Sequence, residues 1–175
     1  MPGYDMTRRA AIGAALASVA TTKSRADDTA ALTNEDFIFE ITRSDAEWRR
    51  FLGDERYYVM REVGTEWARS SELWDRYGAA TYSCAGCDLK VYDEKQRRPL
   101  DKGWVFFHHA EPRSVLMSID RVSPTAYGGS GMEEEGKELI EVQCRRCGCH
   151  LGHILYLEGG IVHCINGIAL TLQEI

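Results

Sequence analysis

The sequence predicts a mainly β domain with short N-terminal helices, in which a metal ion held by four cysteines ties distant strands together. Two Cys-x-x-Cys motifs, Cys84/Cys87 and Cys144/Cys147, supply the four thiols. A Gly-Gly pair at 159–160 between two apolar runs is typical of a β-hairpin turn. Alternating and β-branched runs predict strands over 81–83, 89–92, 103–107, 115–122, 139–143, 153–157, 161–165 and 168–172.

The segment before residue 80 is predicted to be helical in two places. Ser44 begins a helix over 45–52, and Glu47 completes a capping box in which the two residues exchange hydrogen bonds. Residues 57–63 are predicted to form a second short helix, stopped by a glycine at the next position. The alternating segment at 36–40 predicts a short strand ahead of both helices.

The first 26 residues have the pattern of an export signal. Arg8 and Arg9 precede an alanine-rich, weakly apolar run at 10–20, and small residues follow at 24–26. A twin arginine before such a run is similar to a Tat signal, which delivers folded proteins to the periplasm. The alternative is a disordered or amphipathic N-terminal arm. The predicted organisation is a Tat-type signal peptide at 1–26, a linker at 27–34 and one domain at 35–175.

Charge and hydropathy exclude two classes of partner. The chain has 27 acidic and 21 basic residues, for a net charge of −6. An acidic surface disfavours nucleic acid, because phosphate contacts need clustered lysine and arginine. No run approaches the roughly 20 apolar residues of a membrane-spanning helix. A chain of 175 residues has room for one domain with its own core, and we expect a monomer.

The two Cys-x-x-Cys motifs indicate a structural zinc site. A two-residue gap lets both sulfurs of a motif bind one ion, and two motifs complete the tetrahedral four-thiolate set that Zn²⁺ prefers. The alternative is a disulfide within each motif, which an exported protein could keep. Such a bond closes a very small loop and restrains little of the chain. A thioredoxin-like redox motif needs a strand-to-helix junction, which neither motif has.

Cys164 stands outside both motifs and is the candidate nucleophile. His163 adjoins it, and His150 and His153 lie on a segment that a hairpin would return beside it. An imidazolium near the thiol would lower its pKa from about 8.5 and favour the reactive thiolate. The alternative is a buried core cysteine, because free cysteine is among the residues most often buried.

Six segments of the chain resemble the B-type methionine sulfoxide reductases, the SelR domain family. They occur in the family's order and cover roughly residues 35–173. The combination of four metal-binding cysteines with HLGH and CIN is specific, whereas no single segment is. The segments are GTEWARS (64–70), YSCAGCDLKVY (82–92), the GW of DKGWVFF (101–107), EVQCRRC (141–147), HLGHIL (150–155) and HCINGIAL (163–170).

The resemblance implies an all-β domain of two antiparallel sheets, tent-like or barrel-like, around a substrate pocket. It also implies reduction of the R-epimer of methionine sulfoxide in proteins or peptides. Cys164 would be the nucleophile, and His150, His153 and Asn166 would line the site. In this chemistry a thiolate attacks the sulfoxide, an imidazolium protonates the departing oxygen, and the cysteine becomes a sulfenic acid.

An aromatic wall is expected to bind the substrate. The resemblance implies that Trp104 packs against the methyl group of the substrate, with Phe106 and His163 assigned beside it. Sulfur–aromatic contacts of about 1 kcal/mol suit a thioether. The alternative for Trp104 is a plain role in the core.

The chain departs from the family pattern beside the site. Val162 stands where the family usually has an arginine, and Leu157 where an acid helps to hold a histidine. Gly167 stands where a serine often follows CIN, and Lys102 where many members have a resolving cysteine. Either Cys149 or an external thiol, such as a thioredoxin-like reductant, would then return the sulfenic acid to a thiol.

Two functions are consistent with these residues. The first is thiol-dependent reduction of methionine-R-sulfoxide by an exported, zinc-stabilised repair enzyme that acts under oxidative stress. The alternative is a catalytically impaired, zinc-held binding module on the same β scaffold, which the departures would also produce. The nucleophile and both histidines of HLGH are retained, and these favour the enzyme.

Overall fold

Two antiparallel sheets and one kinked helix form the described part of the chain. A computed structural model describes residues 34, 37–120 and 138–175, so the predicted signal peptide lies outside the described residues. The elements are α1 (Asp45–Arg61), β1 (Ala80–Cys84), β2 (Lys90–Asp93), β3 (Val105–Phe107), β4 (Val115–Asp120), β5 (Leu139–Cys144), β6 (His150–Leu157), β7 (Gly160–Ile165) and β8 (Leu170–Glu174).

The strands divide into a sheet of three and a sheet of five. The smaller sheet has the order β2-β1-β8, and the larger has the order β3-β7-β6-β5-β4. Every pairing is antiparallel. The prediction of a mainly β domain with two antiparallel sheets is confirmed.

The helix α1 begins at the predicted capping box. The Ser44 backbone N–H donates to Glu47 Oε2 at 2.9 Å, which satisfies a donor that the first turn leaves without a partner. Gly53 interrupts the helix with φ 74° and ψ 166°, so the two predicted helices are joined across a kink. The second half ends at Arg61, before the predicted end at residue 63. None of the described helices combines the length and apolar character needed to cross a membrane.

Two sequence predictions are wrong in detail. Residues 37–40 form no strand; their aromatic side chains pack instead, and the Phe39 ring covers Gly148, where an added Cβ would lie 2.7 Å from Phe39 Cζ. The hairpin turn lies one residue earlier than predicted. Glu158 and Gly159 are its two central residues, with φ of 48° and 79°, because a two-residue type I′ turn needs positive φ at both positions. Gly160 is already the first residue of β7.

A hydrophobic core joins both sheets and the helix. Trp48 from α1, Tyr82 and Tyr92 from the smaller sheet, and Phe107 from the larger sheet are all at most 1% exposed. The Phe107 ring stacks on Tyr92 at 4.2 Å and meets Tyr82 edge-on at 5.1 Å. Burying rings of this size contributes about 2–3 kcal/mol each. The core therefore fixes one face of the larger sheet and leaves its opposite face to carry a separate cluster.

The glycine of the HLGH segment is required by backbone packing between β6 and β7. A Cβ at Gly152 would overlap the carbonyl oxygen of Cys164 and lie 2.9 Å from Ile165 Cα. We expect Gly152→Ala to lower the free energy of unfolding by about 3 kcal/mol, because neither backbone atom can move without breaking the pairing. Chemical denaturation measures the loss. Gly159→Ala is the control: no described residue lies within 4 Å of a Cβ added there, so only the positive φ lowers the stability, by about 1 kcal/mol. Equal losses in the two variants would contradict the packing argument.

Candidate functional site

The four cysteines of the two motifs form one cluster between the sheets. Cys84 ends β1 and Cys144 ends β5, so each sheet contributes one motif. Their ligand sulfurs all lie within 4.8 Å of one another, with 3.7 Å from Cys84 Sγ to Cys147 Sγ and 3.5 Å from Cys87 Sγ to Cys144 Sγ. In both motifs the backbone N–H four residues after the first cysteine donates to that cysteine's carbonyl at 2.8 Å. The two motifs are therefore the same turn built twice.

The cluster fits a tetrahedral metal ion. Zinc–sulfur bonds of about 2.3 Å set sulfur–sulfur separations of about 3.8 Å, close to the two distances observed. All six cysteines of the chain are free thiols, so the alternative of a disulfide within each motif is wrong. The four sulfurs that could hold a metal are those of Cys84, Cys87, Cys144 and Cys147.

Cys164 lies in the middle of a row of side chains across the larger sheet. Residues directly opposite one another in antiparallel strands share a face. Cys164 on β7 is opposite Phe106 on β3 and His153 on β6, and His153 is opposite Glu141 on β5. Glu141 is in turn opposite Ser118 on β4. The predicted return of His153 to Cys164 through the hairpin is confirmed.

Both histidines of HLGH are paired with buried carboxylates. His153 Nε2 is 2.9 Å from Asp120 Oδ2, and His150 Nδ1 is 2.8 Å from Glu141 Oε1. The two rings lie 5.0 Å apart. Burial raises the pKa of Glu141, but the hydrogen bond and charge of His150 outweigh it and hold that pKa below its usual value. A carboxylate fixes which ring nitrogen carries the proton.

Glu141 holds its histidine within a network of polar side chains. Ser118 Oγ–H donates to Glu141 Oε2 at 2.7 Å, and Gln143 Nε2–H donates to the same oxygen at 2.8 Å. Burial lowers the pKa of His150, against the opposing effect of its hydrogen bond with Glu141. The His150 Nε2 atom is buried and has no hydrogen-bond partner among the residues that the structure describes. A buried nitrogen left without a partner is costly, and such an atom is a candidate for contact with a ligand.

The thiol of Cys164 is enclosed by apolar side chains. It is 6% exposed and clusters with Leu100, Trp104, Phe106 and Val162. Burial raises the pKa of the Cys164 thiol well above its usual value, and the charge of Glu66 raises it further. The sequence-based expectation of a lowered pKa is wrong for the substrate-free protein, because removal from water outweighs any histidine nearby.

The raised pKa predicts slow alkylation of Cys164. An exposed thiol is half ionised near pH 8.5, and its labelling rate levels off above that pH. We expect the rate at Cys164 to rise about tenfold per pH unit from pH 7 to pH 9 without a plateau, because only the thiolate reacts. Mass spectrometry of the iodoacetamide-labelled Cys164 peptide measures the rate, with glutathione as the reference thiol. A labelling rate that levels off anywhere below pH 9 would contradict the prediction.

Trp104 and Asn166 are brought to the site and held by one residue of the GTEWARS segment. Trp104 Nε1–H donates to the Glu66 carbonyl at 3.3 Å. Asn166 Oδ1 accepts from the Glu66 backbone N–H at 3.1 Å, and its Nδ2–H donates to the Leu151 carbonyl at 3.2 Å. Both side chains are less than 10% exposed.

Two predicted site residues lie elsewhere. His163 is opposite Phe107 and Ile154, so it points to the core face while its neighbour Cys164 points to the other. Its Nδ1 atom is 3.0 Å from the Tyr92 hydroxyl, and burial lowers its pKa to about 4, with a smaller contribution from the charge of His109. His163 is therefore a neutral core residue, not a wall of the Cys164 pocket.

Cys149 belongs with the metal cluster. It is fully buried in the core cluster that contains Cys84, Cys144 and Cys147. A Cβ added at Gly86 would lie 2.8 Å from Cys149 Sγ. Cys164 belongs to the other cluster, so the structure does not bring together the two thiols of the predicted resolving pair.

Three residues that depart from the family pattern have defined contacts in the structure. Val162 is fully buried in the cluster around Cys164, and Leu157 packs against its edge. Lys102 is exposed and forms an ion pair with Glu158, with 3.5 Å from Nζ to Oε1. The acid missing at position 157 has a counterpart on another strand, because Asp120 of β4 supplies a carboxylate to His153.

Three acids that define the site are not predicted from the sequence. Asp120 and Glu141 each hold a histidine, and Glu66 holds Trp104 and Asn166. Asp120 and Glu141 lie in strands and Glu66 lies in a loop, and nothing in the local sequence marks any of them as a partner of a residue up to 100 positions away. The one signal was alternation: Ser118 and Asp120 are polar residues on one face of an otherwise apolar run.

The fold and the site define a β domain with two features. A cluster of four cysteines could bind a metal ion between the sheets, and a separate, enclosed cysteine lies beside histidines that are paired with carboxylates. The SelR domain matches residues 52–174, and the chain belongs to that family. The chain is 33% identical over 142 residues to the peptide methionine sulfoxide reductase MsrB of Leifsonia xyli subsp. xyli. The aligned region covers 77% of this chain and 92% of the relative.

Two further relatives carry the same name. The peptide methionine sulfoxide reductase MsrB of Azotobacter vinelandii is 34% identical over 130 residues, covering 72% of this chain and 89% of the relative. That of Leptospira interrogans is 29% identical over 140 residues, covering 78% and 98%. The similarity therefore spans nearly the whole length of these proteins.

Proposed function

We propose that this protein reduces methionine-R-sulfoxide in proteins or peptides, with Cys164 as the nucleophile and Zn²⁺ in the four-cysteine cluster. The observation that carries the proposal is the row in which Cys164 lies between His153 and Phe106, next to Trp104. Membership of the SelR domain family and relatives named as peptide methionine sulfoxide reductases support it.

The proposed reaction transfers one oxygen atom. The Cys164 sulfur attacks the sulfoxide sulfur, and the sulfur–oxygen bond of the substrate is replaced by one on cysteine. Methionine sulfur is reduced by two electrons, and Cys164 is oxidised by two electrons to a sulfenic acid. Two external thiols then return it to the thiol, releasing water and forming their own disulfide.

Proton transfer is assigned to the histidines of HLGH. Cys164 is protonated in the substrate-free site, so its proton must leave as the sulfoxide oxygen gains one. His153 is its direct neighbour across the sheet, and Asp120 holds the Nε2 atom of that ring. His150 offers a buried Nε2 atom that no described residue hydrogen-bonds. One imidazole can accept the thiol proton and give it to the departing oxygen.

The substrate side chain is assigned to the apolar cluster. Trp104 and Phe106 are aromatic, and Val162 extends the wall. An aromatic surface suits a thioether through apolar contact and sulfur–aromatic attraction. The zinc ion would hold the two sheets together through Cys84, Cys87, Cys144 and Cys147, and takes no part in oxygen transfer because its ligand set is closed.

One assay tests the proposal. Purified protein is given peptides with either methionine-R-sulfoxide or methionine-S-sulfoxide, with dithiothreitol as reductant, and reduced peptide is measured by chromatography. We expect turnover of the R-epimer only. No turnover of either epimer by zinc-loaded protein would reject the enzyme and favour the alternative, a binding module on the same scaffold.

The alternative is motivated by the closed environment of Cys164. A thiol that is 6% exposed, with a raised pKa and no second cysteine in its cluster, is also what a non-catalytic core cysteine would show. Under this reading the protein binds oxidised methionine without turnover. Equilibrium binding of the R-sulfoxide peptide with no loss of the sulfoxide would then be observed.

We propose that residues 1–26 direct export of the protein. The twin arginine, the alanine-rich run and the small residues that follow support a Tat-type signal and a periplasmic location. Fractionation of cells that produce the full chain tests it. The control is the Arg8→Lys, Arg9→Lys double variant, which should stay in the cytoplasm with its N-terminus uncut.

A further inference from the structure

Glu66 makes four hydrogen bonds that connect Trp104 to the segment 166–168. It is 5% exposed, and its carboxylate accepts from the backbone N–H groups of Gly167 at 2.6 Å and Ile168 at 2.8 Å. Its own backbone N–H donates to Asn166 Oδ1, and its carbonyl accepts from Trp104 Nε1. One residue between α1 and β1 thus contacts both the indole and the segment that follows Cys164.

The Glu66 carboxylate accepts charge-assisted hydrogen bonds from a backbone segment that is itself held in place. Hydrogen bonds to an ionised carboxylate are about twice as strong as neutral ones. The receiving segment is fixed from its other side, because Arg56 Nε–H donates to the Ile168 carbonyl at 3.1 Å. The Glu66 carboxylate lines a surface cavity of about 480 Å³ together with the exposed acids Glu55 and Glu72. Among these three acids, Glu66 is the one that is buried.

We propose that Glu66 is a positioning residue for the reductase reaction. By anchoring on the amides of Gly167 and Ile168, it sets the Trp104 indole and the Asn166 amide beside Cys164. The inference deepens the proposed function and rests on it. A shift of about 1 Å in such a group can lower a rate about 100-fold, because the reacting groups lose their alignment.

Two substitutions separate the length of Glu66 from its charge. Glu66→Gln keeps the length but turns an N–H group towards one of the amides, and Glu66→Asp keeps the charge but is too short to reach both. We expect kcat/KM for the R-sulfoxide peptide to fall about 10- to 100-fold in both variants. Glu55→Gln is the control, because it removes an exposed acid from the same cavity; its kcat/KM should stay within about twofold of the unsubstituted protein.

A second readout distinguishes positioning from simple loss of stability. The carboxylate charge of Glu66 disfavours the Cys164 thiolate. The rate at which iodoacetamide labels Cys164 at pH 8 should therefore rise in Glu66→Gln, because more of the thiol is ionised, and stay unchanged in Glu66→Asp. Loosened packing alone would alter both variants alike.

The outcomes are decisive in each direction. If both Glu66 variants keep their zinc and kcat/KM within about twofold of the unsubstituted protein, the proposal is overturned. If they fail to fold, placing 3-benzothienylalanine at position 104 decides, since it keeps the bicyclic aromatic ring and replaces only the indole N–H that binds Glu66 with sulfur: unchanged kcat/KM overturns the proposal, and a fall of about tenfold supports it. If the unsubstituted protein has no reductase activity, the proposed function fails separately. The labelling rate then still tests the link between Glu66 and Cys164, and an unchanged rate at pH 8 in Glu66→Gln overturns that link.

Discussion

Replacement of Cys164 by serine is expected to abolish reduction of methionine-R-sulfoxide, with kcat falling at least about 10⁴-fold. Loss of a nucleophile commonly has an effect of this size or larger, because the remaining groups bind substrate but form no covalent intermediate. The variant should still bind metal, because Cys164 lies in a cluster separate from the four metal-site cysteines. Turnover is measured with dithiothreitol, and zinc content by mass spectrometry.

Cys149→Ala is the matched control for this substitution. Cys149 is the other cysteine outside the four-sulfur cluster, and it packs on the metal side of the core. We expect this variant to keep its turnover with dithiothreitol within about twofold, because an external thiol can reduce the sulfenic acid directly. Dimedone should trap the sulfenic acid on Cys164 after one turnover without reductant. A Cys149–Cys164 disulfide instead would show that the two thiols meet and would restore the resolving role predicted from the sequence.

Replacement of Cys87 by serine is expected to unfold the domain. Structural zinc contributes on the order of 10 kcal/mol of apparent binding free energy, and a domain of this size is stable by about 5–15 kcal/mol in total. The cluster joins the end of β1 in one sheet to the end of β5 in the other. Losing the ion therefore releases the two sheets from each other and also leaves buried thiolates unpaired.

Circular dichroism and zinc analysis measure this second effect. The unsubstituted protein should contain one zinc ion per chain, and a strong chelator should remove the ion together with the cooperative thermal transition. Cys149→Ala again serves as the control and should keep both. A metal-free protein that melts cooperatively at the same temperature would contradict the structural role of the cluster.

The metal site and the helix start were predictable because their determinants are local. A two-residue gap between cysteines constrains the turn that holds them, and the same turn is found at Cys84 and at Cys144. The capping box of Ser44 and Glu47 likewise needs only four residues in sequence. Strands were located to within a few residues, but β6 begins three residues earlier than predicted, at His150.

The face on which each side chain lies was less well predicted. His163 was assigned to the pocket because it adjoins Cys164, although neighbours in a strand point to opposite faces. On the core side, His163 forms a hydrogen bond with the hydroxyl of Tyr92, which lies 71 residues earlier in the chain. The expected lowering of the Cys164 pKa failed for a related reason. Burial is a property of the assembled cluster and cannot be read from the histidines nearby in sequence.

The sequence by itself determined the four metal-site cysteines, the start of the helix, the approximate strands and the separate cysteine at 164, because each depends on short-range spacing. Only the tertiary structure decided which carboxylates hold the histidines, that Glu66 joins Trp104 to Asn166, and that Cys149 lies with the metal cluster. These contacts depend on strand register and on pairs of residues 9 to 100 positions apart. A shift of one residue in the register of β4, β5 or β6 would turn Asp120, Glu141 or His153 to the opposite face of the sheet.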